Sequence, residues 1–216
     1  MNLPNKLTVL RILLVPVIVI IYYLGSLGVI DGEFLNIPIV NWLILLVFGI
    51  ASYTDHLDGK LARRDNLITA FGKFADPLAD KILVLAVMLI LVEEGKLPAW
   101  IPIIVLFREF VVSGYRLIAV ENGGKVIAAN IWGKIKTVTQ MIAIILMYLT
   151  NFGYCQFIFR AATIEQARVS SILLYMPTGE YIINILASVF MTISVIATIF
   201  SGWTYLKEGK DLFKDC

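Results

Sequence analysis

The chain has 216 residues, of which 59% are hydrophobic and 16% are charged, and its formal net charge is +2. A typical soluble domain has about 25% charged residues, so this composition argues against a soluble enzyme and indicates an integral membrane protein. The small net charge argues against nucleic acid as a partner, and two cysteines are too few for a disulfide framework or a structural zinc site.

A membrane-spanning helix needs about 20 mostly apolar residues. Short polar stretches divide the sequence into segments of this kind, which cover residues 7–27, 39–62, 71–92, 98–120, 133–152 and 180–206. We therefore predict an all-α, polytopic membrane protein with six transmembrane helices, built as a single domain over residues 1–216. The first segment resembles a signal sequence, but no small-residue cleavage site follows it, so we expect it to be retained. The long connection 152–179 is expected to carry a short amphipathic helix.

The lysines and arginines outside these segments lie mostly on one side of the predicted membrane. Lys96, Arg160 and Arg168 fall on the other side. Because basic residues beside the spans mark the cytoplasmic face, both termini are predicted to be cytoplasmic, which agrees with an even number of spans. The protein is therefore expected in the cytoplasmic membrane, with its active site facing the cytoplasm.

Four aspartates give the clearest functional signal. Asp55, Asp58, Asp76 and Asp80 occur in the pattern D-x2-D-G-x2-A-R-x8-G-x3-D-x3-D. An aspartate near the centre of a membrane helix costs roughly 2.5–3.5 kcal/mol, so intramembrane acids are usually functional. A bound divalent cation is the simplest way to offset four of them, although some are also expected to pair with neighbouring lysines and arginines.

The spacing predicts where these acids lie. At about 100° per residue, Asp55 and Asp58 lie about 60° apart on one helix, and Gly72, Asp76 and Asp80 stay within about 80° on the next. Both groups are then roughly 12–14 Å from the cytoplasmic helix ends, so they can meet at one depth. Carboxylate oxygens favour Mg²⁺, Mn²⁺ or Ca²⁺, and two such ions close together suit displacement at phosphorus.

The pattern matches, residue for residue, the signature of the CDP-alcohol phosphotransferase family, and six spans with cytoplasmic ends also resemble that family. The resemblance implies transfer of a substituted phosphate from a CDP-linked donor to an alcohol, with release of CMP. It implies two ions of Mg²⁺ or Mn²⁺, held by Asp55, Asp58, Asp76 and Asp80. Asp80 is also the implied catalytic base, or it orients a hydroxyl that the metal acidifies. A homodimer is implied by the resemblance alone.

Two groups of residues are candidates for binding the CDP-linked donor. The motif contributes Gly59, Ala62, Arg63 and Gly72, whose small members let a ligand approach the helix backbone. The N-terminus contributes Asn5, Thr8 and Arg11, which are three residues apart and share one side of a helix. This N-terminal segment also resembles the nucleotide-bordering segment of some family members. The alternative interpretation is a helix N-cap followed by a cytoplasmic anchor.

The acceptor is predicted from the remaining cations. The candidates for binding an acceptor phosphate are Arg108, Arg116, Lys134 and Lys136. Arginine offers a bidentate fork and lysine a compact charge, and both bind phosphate. The alternatives are that the lysines only orient the chain in the membrane and that Arg108 only pairs with Glu109.

The Arg108-Glu109 pair and the later G-K-x-K-T block resemble the branch of the family that uses glycerol 3-phosphate. CDP-diacylglycerol, a membrane lipid, is then the implied donor, and direct in-line displacement would give phosphatidylglycerophosphate. Another family member, with an inositol-phosphate acceptor or a cardiolipin product, remains an alternative. A divalent-cation transporter is a more distant one, since the sequence lacks the repeated halves or paired broken helices of many transporters.

Overall fold

The structure is a computed structural model that describes the chain apart from residues 1–2, 65–69, 122–130, 160–162, 170–174 and 209–216. Some side chains within the helices also lie outside the described set. They are those of residues 3–4, 55–64, 70–74, 76–77, 116–121, 159, 167–169 and 208. The described helices are α1 (Leu3–Ser26), α2 (Ile39–Arg64), α3 (Ala70–Glu93), α4 (Trp100–Glu121), α5 (Ile131–Tyr148), α6 (Ile164–Val169) and α7 (Thr178–Glu208). A short 3₁₀ helix covers Gln156–Phe159, and two short strands, β1 (Glu33–Phe34) and β2 (Ile37–Pro38), form an antiparallel hairpin.

Each of the six long segments predicted from the sequence is a helix in the structure. The largest differences at any helix end are four residues: the first helix begins at Leu3 instead of residue 7, and the fifth ends at Tyr148 instead of residue 152. The chain turns away there because the Asn184 side chain donates hydrogen bonds to the carbonyl oxygens of Phe152 and Gly153, at 3.2 and 2.8 Å. The predicted short helix in the long connection corresponds to α6.

Two of the described helices are long and apolar enough to cross a membrane. They are the segments Asn5–Ser26 and Thr178–Lys207, and a shorter apolar helical segment covers Ile39–Thr54. By length and composition these segments agree with a membrane location. Whether all six long helices span the membrane stays a prediction.

The chain divides into two compact units, Met1–Glu94 and Gly95–Cys216. In the first unit, α1 packs against both α2 and α3, and α2 contacts α3. Its core includes the fully buried Ile18, Ile44 and Leu91. A Cβ atom on Gly25 of α1 would overlap the side chain of Val40 on α2, so the absence of a side chain permits this close helix contact.

In the second unit, α7 packs against α4 and α5. The connection after α5 is fixed to α7 by hydrogen bonds. The amide nitrogens of Cys155 and Phe157 donate to Ser188 Oγ and Asn184 Oδ1, both at 2.9 Å. The Tyr154 and Thr192 hydroxyls share a hydrogen bond of 2.8 Å. Burial raises the pKa of the Tyr154 phenol, and the bond with Thr192 opposes that shift.

The prediction of a single domain spans both compact units. The division into units lies in the connection between α3 and α4, close to the polar break that the sequence shows at 93–98. A single functional domain over residues 1–216 therefore stays a prediction.

Candidate active site

The four motif aspartates lie on two consecutive helices of the first unit, as predicted. Asp55 and Asp58 are in the second half of α2, and Asp76 and Asp80 are in the first half of α3. Asp55 is nine residues before the end of α2 and Asp80 is ten residues after the start of α3. At 1.5 Å per residue both positions are roughly 14–15 Å from the joined helix ends, so the two helices carry their acids at similar depths.

The register of α2 relates the acid positions to the buried face of that helix. Ile44, Phe48 and Ala51 are almost completely buried. Position 55 lies two helical turns after Phe48 and one turn after Ala51. Position 58 lies two turns after Ala51. Both positions are therefore on the same side of α2 as these buried residues. The side chains of Asp55 and Asp58 themselves lie outside the described residues, as do those of the donor candidates Ala62 and Arg63, and Gly59 lies there too.

On α3, the acid positions adjoin the buried face that Ala79, Leu83 and Val87 form. Position 76 precedes Leu83 by two turns, and Asp80 precedes Val87 by two turns. The Asp80 side chain is described and is exposed. The Asp76 side chain and Gly72 lie outside the described residues.

Two helices that carry four carboxylates fit a hard divalent cation, because such ions prefer oxygen ligands. Among the side chains that the structure describes, no three His, Cys, Asp or Glu groups lie close enough together to hold a metal. Three of the four motif carboxylates lie outside that described set. Convergence of the four acids on metal is therefore supported by helix register and donor chemistry, and it stays a prediction.

The N-terminal candidates share one side of α1, and that side is buried. Asn5 and Thr8 are buried and Arg11 is fully buried within the first unit. Helix α1 begins at Leu3, so Asn5 lies inside its first turn. A buried guanidinium needs compensating polar or acidic groups, and α1 packs against the two helices that carry the acid motif. Contact with the donor nucleotide stays a prediction.

In the second unit, the structure brings two of the acceptor candidates to one carboxylate. The Glu109 Oε1 atom lies 2.9 Å from Arg108 Nη1 and 2.5 Å from Lys136 Nζ. All three side chains are less than one-fifth exposed. We call Arg108, Glu109 and Lys136 the basic cluster. The cluster has two positive charges and one negative charge, so its net charge of +1 is suited to contact with an anion.

Helices α5 and α7 hold the Arg108 side chain in place. Its Nη2 atom donates a hydrogen bond to Ser201 Oγ, and its guanidinium carbon lies 5.9 Å from the centre of the Tyr205 ring. A Cβ atom on Gly133 would lie 3.3 Å from Arg108 Nη2, and one on Gly202 would lie 3.5 Å from Arg108 Cγ. These contacts fix the position of the guanidinium beyond its pairing with Glu109.

The other two acceptor candidates are placed differently. Lys134 is exposed on the first turn of α5, and the Arg116 side chain lies outside the described residues. Neither Ser201 nor Tyr205 was predicted as a site residue. A signal for them was present in the sequence, since polar residues recur every three or four positions along α7, at Ser194, Thr198, Ser201 and Tyr205.

Known proteins resemble this chain over nearly its whole length. A Bacillus subtilis (strain 168) protein named CDP-diacylglycerol–glycerol-3-phosphate 3-phosphatidyltransferase is 39% identical over 217 residues, covering 99% of this chain and 97% of the relative. A Rickettsia typhi protein with the same name is 31% identical over 212 residues, covering 98% of this chain and 99% of the relative. A Salmonella choleraesuis protein, also with that name, is 39% identical over 147 residues, covering 66% of this chain and 74% of the relative.

A family model described as CDP-alcohol phosphatidyltransferase matches residues 1–200, which include the complete acid motif and the basic cluster. The match confirms the family resemblance that the aspartate pattern indicated. The chain belongs to the CDP-alcohol phosphatidyltransferase family.

Proposed function

We propose that this chain transfers the phosphatidyl group of CDP-diacylglycerol to sn-glycerol 3-phosphate and releases phosphatidylglycerophosphate and CMP. The observation that carries this proposal is its similarity to relatives that are named for this reaction and that align over almost the full chain. The complete aspartate motif and a basic cluster with a surplus positive charge support the same reaction.

The chemical step needs a phosphoryl centre, a nucleophile and a place for one proton. The hydroxyl oxygen of glycerol 3-phosphate forms a bond to the donor phosphorus nearest the lipid. The bond from that phosphorus to the CMP oxygen breaks, and CMP leaves. The hydroxyl proton passes to Asp80. The exposure of Asp80 supports this role, because a general base must reach its substrate.

The metal-binding residues in this proposal are Asp55, Asp58, Asp76 and Asp80, which would hold two ions of Mg²⁺ or Mn²⁺. When bound, such ions activate the attacking oxygen and stabilise the leaving one. The register of α2 supports this assignment, since positions 55 and 58 are about one turn apart on the same side of the helix.

The donor is proposed to contact the N-terminal helix and the motif. Asn5, Thr8 and Arg11 form a buried polar row on a mostly apolar helix, and their side chains carry hydrogen-bond donors and one positive charge. Gly59, Ala62, Arg63 and Gly72 are the motif residues assigned to the CMP side of the donor. The small size of Gly59, Ala62 and Gly72 and the guanidinium group of Arg63 support this assignment.

The acceptor phosphate is proposed to bind the basic cluster. Arg108 and Lys136 are held in fixed positions by Glu109, and their surplus positive charge suits an anionic substrate. Arg116 and Lys134 are the further cations in this assignment. A neutral alcohol would gain little from such a cluster, which favours an acceptor that itself carries a phosphate.

Family membership and the two apolar helices make the chain a membrane protein. We further propose six spans, cytoplasmic termini, an active site facing the cytoplasm and a homodimeric assembly. The distribution of lysine and arginine supports the orientation, and exposed apolar side chains along α1, α4 and α7 are suited to contact with lipid.

The direct test is CMP release by the purified protein with CDP-diacylglycerol and Mg²⁺, in the presence and absence of glycerol 3-phosphate. Release that requires both the metal and glycerol 3-phosphate is expected. Release with inositol phosphate or phosphatidylglycerol in place of glycerol 3-phosphate would retain the family chemistry and change the acceptor. Folded protein that releases no CMP with any of these acceptors would contradict the proposed reaction.

A further inference from the structure

The connection between α1 and α2 is a closed, hydrogen-bonded structure. The Leu27 and Val29 amides donate to carbonyl oxygens in the last turns of α1, both at 2.9 Å, and the Ile39 amide donates to Gly32 O at 3.0 Å. Between these bonds β1 and β2 form their hairpin, and the Trp42 indole nitrogen donates to Phe34 O at 3.1 Å. Because these bonds fix the backbone, the side chains of the connection point in defined directions.

This fixed connection exposes four large apolar side chains. The exposed fractions are 76% for Leu27, 68% for Val29, 60% for Phe34 and 72% for Leu35. We call these four residues the apolar ledge. A single exposed apolar residue needs no explanation, but several within nine residues of a hydrogen-bonded connection indicate an interaction surface.

The backbone conformation of Leu35 is unfavourable for a leucine. Leu35 and Asn36 have φ angles of 56° and 60°, the left-handed pair that a type I′ hairpin turn requires. Asparagine or glycine is preferred at both positions, and a left-handed backbone costs a leucine about 1–2 kcal/mol. A side chain that is both strained and exposed to water adds nothing to the stability of the fold. Such an outlier indicates a role outside the fold itself.

The surroundings of the ledge match the boundary between water and lipid. Along the chain, the ledge continues the exposed apolar face of α1, which includes Leu13 and Ile20. Aromatic residues pair at this end of the helices: Tyr22 with Tyr23, and Phe34 of the ledge with Trp42, with ring centres 5.2 and 5.8 Å apart. Aromatic residues are enriched at both membrane interfaces.

The charges of this region indicate which part of the lipid is contacted. The exposed acids Asp31 and Glu33 lie in the connection, and the sequence has no lysine or arginine from Ile12 to Gly59. Attraction to anionic headgroups therefore cannot hold the ledge. Burial of apolar area at the boundary between headgroups and acyl chains can, and it does not depend on lipid charge.

From these observations we propose that the apolar ledge inserts into the headgroup–acyl boundary of the leaflet at the α1–α2 end of the first unit. The ledge then acts as an interfacial anchor that fixes the depth of α1 in the membrane. This proposal is independent of the proposed phosphatidyl transfer, since it depends only on exposure, backbone geometry and charge in the connection.

Site-directed spin labelling tests the anchor in the full chain. Cys155 and Cys216 are replaced by serine, and a nitroxide is attached at Leu35→Cys or, as the matched control two residues away, at Glu33→Cys. The protein is placed in phosphatidylcholine vesicles, and collisions with oxygen, which concentrates in lipid, are compared with collisions with a water-soluble nickel complex. Val29→Cys repeats the measurement without altering the turn.

We expect the ratio of oxygen to nickel collisions to be several-fold higher at positions 35 and 29 than at position 33, and to be unchanged by salt or by added anionic lipid. A ratio at both ledge positions as low as at position 33 would overturn the proposal. Low collision rates with both reagents, together with spin–spin broadening, would also overturn it, because a second copy of the chain would then cover the ledge.

Discussion

The two units of this protein carry charge among apolar residues in opposite ways. In the first unit, four acids lie within 26 residues on two consecutive helices, at positions that continue or adjoin buried faces. In the second unit, Arg108, Glu109 and Lys136 compensate one another and leave one positive charge. We propose that a bound cation offsets the acids, whereas in the basic cluster Glu109 pairs with both Arg108 and Lys136. The first arrangement suits a metal site and the second suits the binding of an anion.

The largest expected effect comes from the acid side of this comparison. Asp76→Asn should lower turnover by about a thousandfold, since it removes a proposed metal ligand while keeping nearly the same volume. CMP release measures the loss, and elution of the purified variant on size-exclusion chromatography checks that it is folded. Asp31→Asn, outside the motif, is the control and should retain activity. Turnover of the Asp76 variant within about tenfold of the unaltered protein would disprove the metal assignment.

Removal of the counter-ion in the basic cluster should have the next largest effect. Glu109→Gln leaves two mostly buried cations without their shared carboxylate, so the free energy of unfolding should fall by about 3 kcal/mol. Thermal or denaturant unfolding in detergent measures the change, with Glu165→Gln on the exposed α6 as the control. Adding Lys136→Met to Glu109→Gln should restore part of the loss. Equal stability of the two glutamine variants would mean that Glu109 does not hold the cluster together.

The surplus positive charge can be removed without breaking the cluster. Lys136→Met leaves Arg108 paired with Glu109 and should raise the KM for glycerol 3-phosphate by about tenfold or more, the loss of one charged hydrogen bond. The KM for CDP-diacylglycerol should change little. Lys134→Met is the matched control, because Lys134 is exposed two residues away on the same helix. Similar effects of the two substitutions, or an effect on the donor alone, would place the acceptor phosphate elsewhere.

The smallest expected effect follows from a small displacement of the Arg108 guanidinium. Gly133→Ala places a methyl group 3.3 Å from Arg108 Nη2, so the guanidinium must shift by a few tenths of an ångström. The KM for glycerol 3-phosphate should rise by a few-fold, about 1 kcal/mol or less. Gly114→Ala on α4 is the control, since nothing lies within 4 Å of its added Cβ. If the KM for glycerol 3-phosphate is the same in the Gly133 and Gly114 variants, a small shift of the Arg108 guanidinium does not affect acceptor binding.

The predictions from the sequence were most accurate for the positions of the long helices. The six long helices were found because apolar runs of this length are a strong signal, and their ends differ from the predictions by only a few residues. The hairpin at Glu33–Pro38 was not predicted, because its left-handed pair is Leu35-Asn36 and lacks the glycine that usually marks such a turn. The early end of α5 was missed because Asn184, far along the chain, fixes the turn that follows it.

The sequence by itself determined the mostly helical character, the aspartate motif and the family, because each depends on the identity and spacing of residues close together in the chain. The prediction of an all-α fold was wrong at the β1–β2 hairpin. Only the tertiary structure decided that Glu109 holds both Arg108 and Lys136, and that Ser201, 93 residues beyond Arg108, accepts its hydrogen bond. It also decided that the side of α1 carrying Arg11 is buried. Contacts of this kind depend on how distant helices pack, and local periodicity carries no information about which distant faces meet.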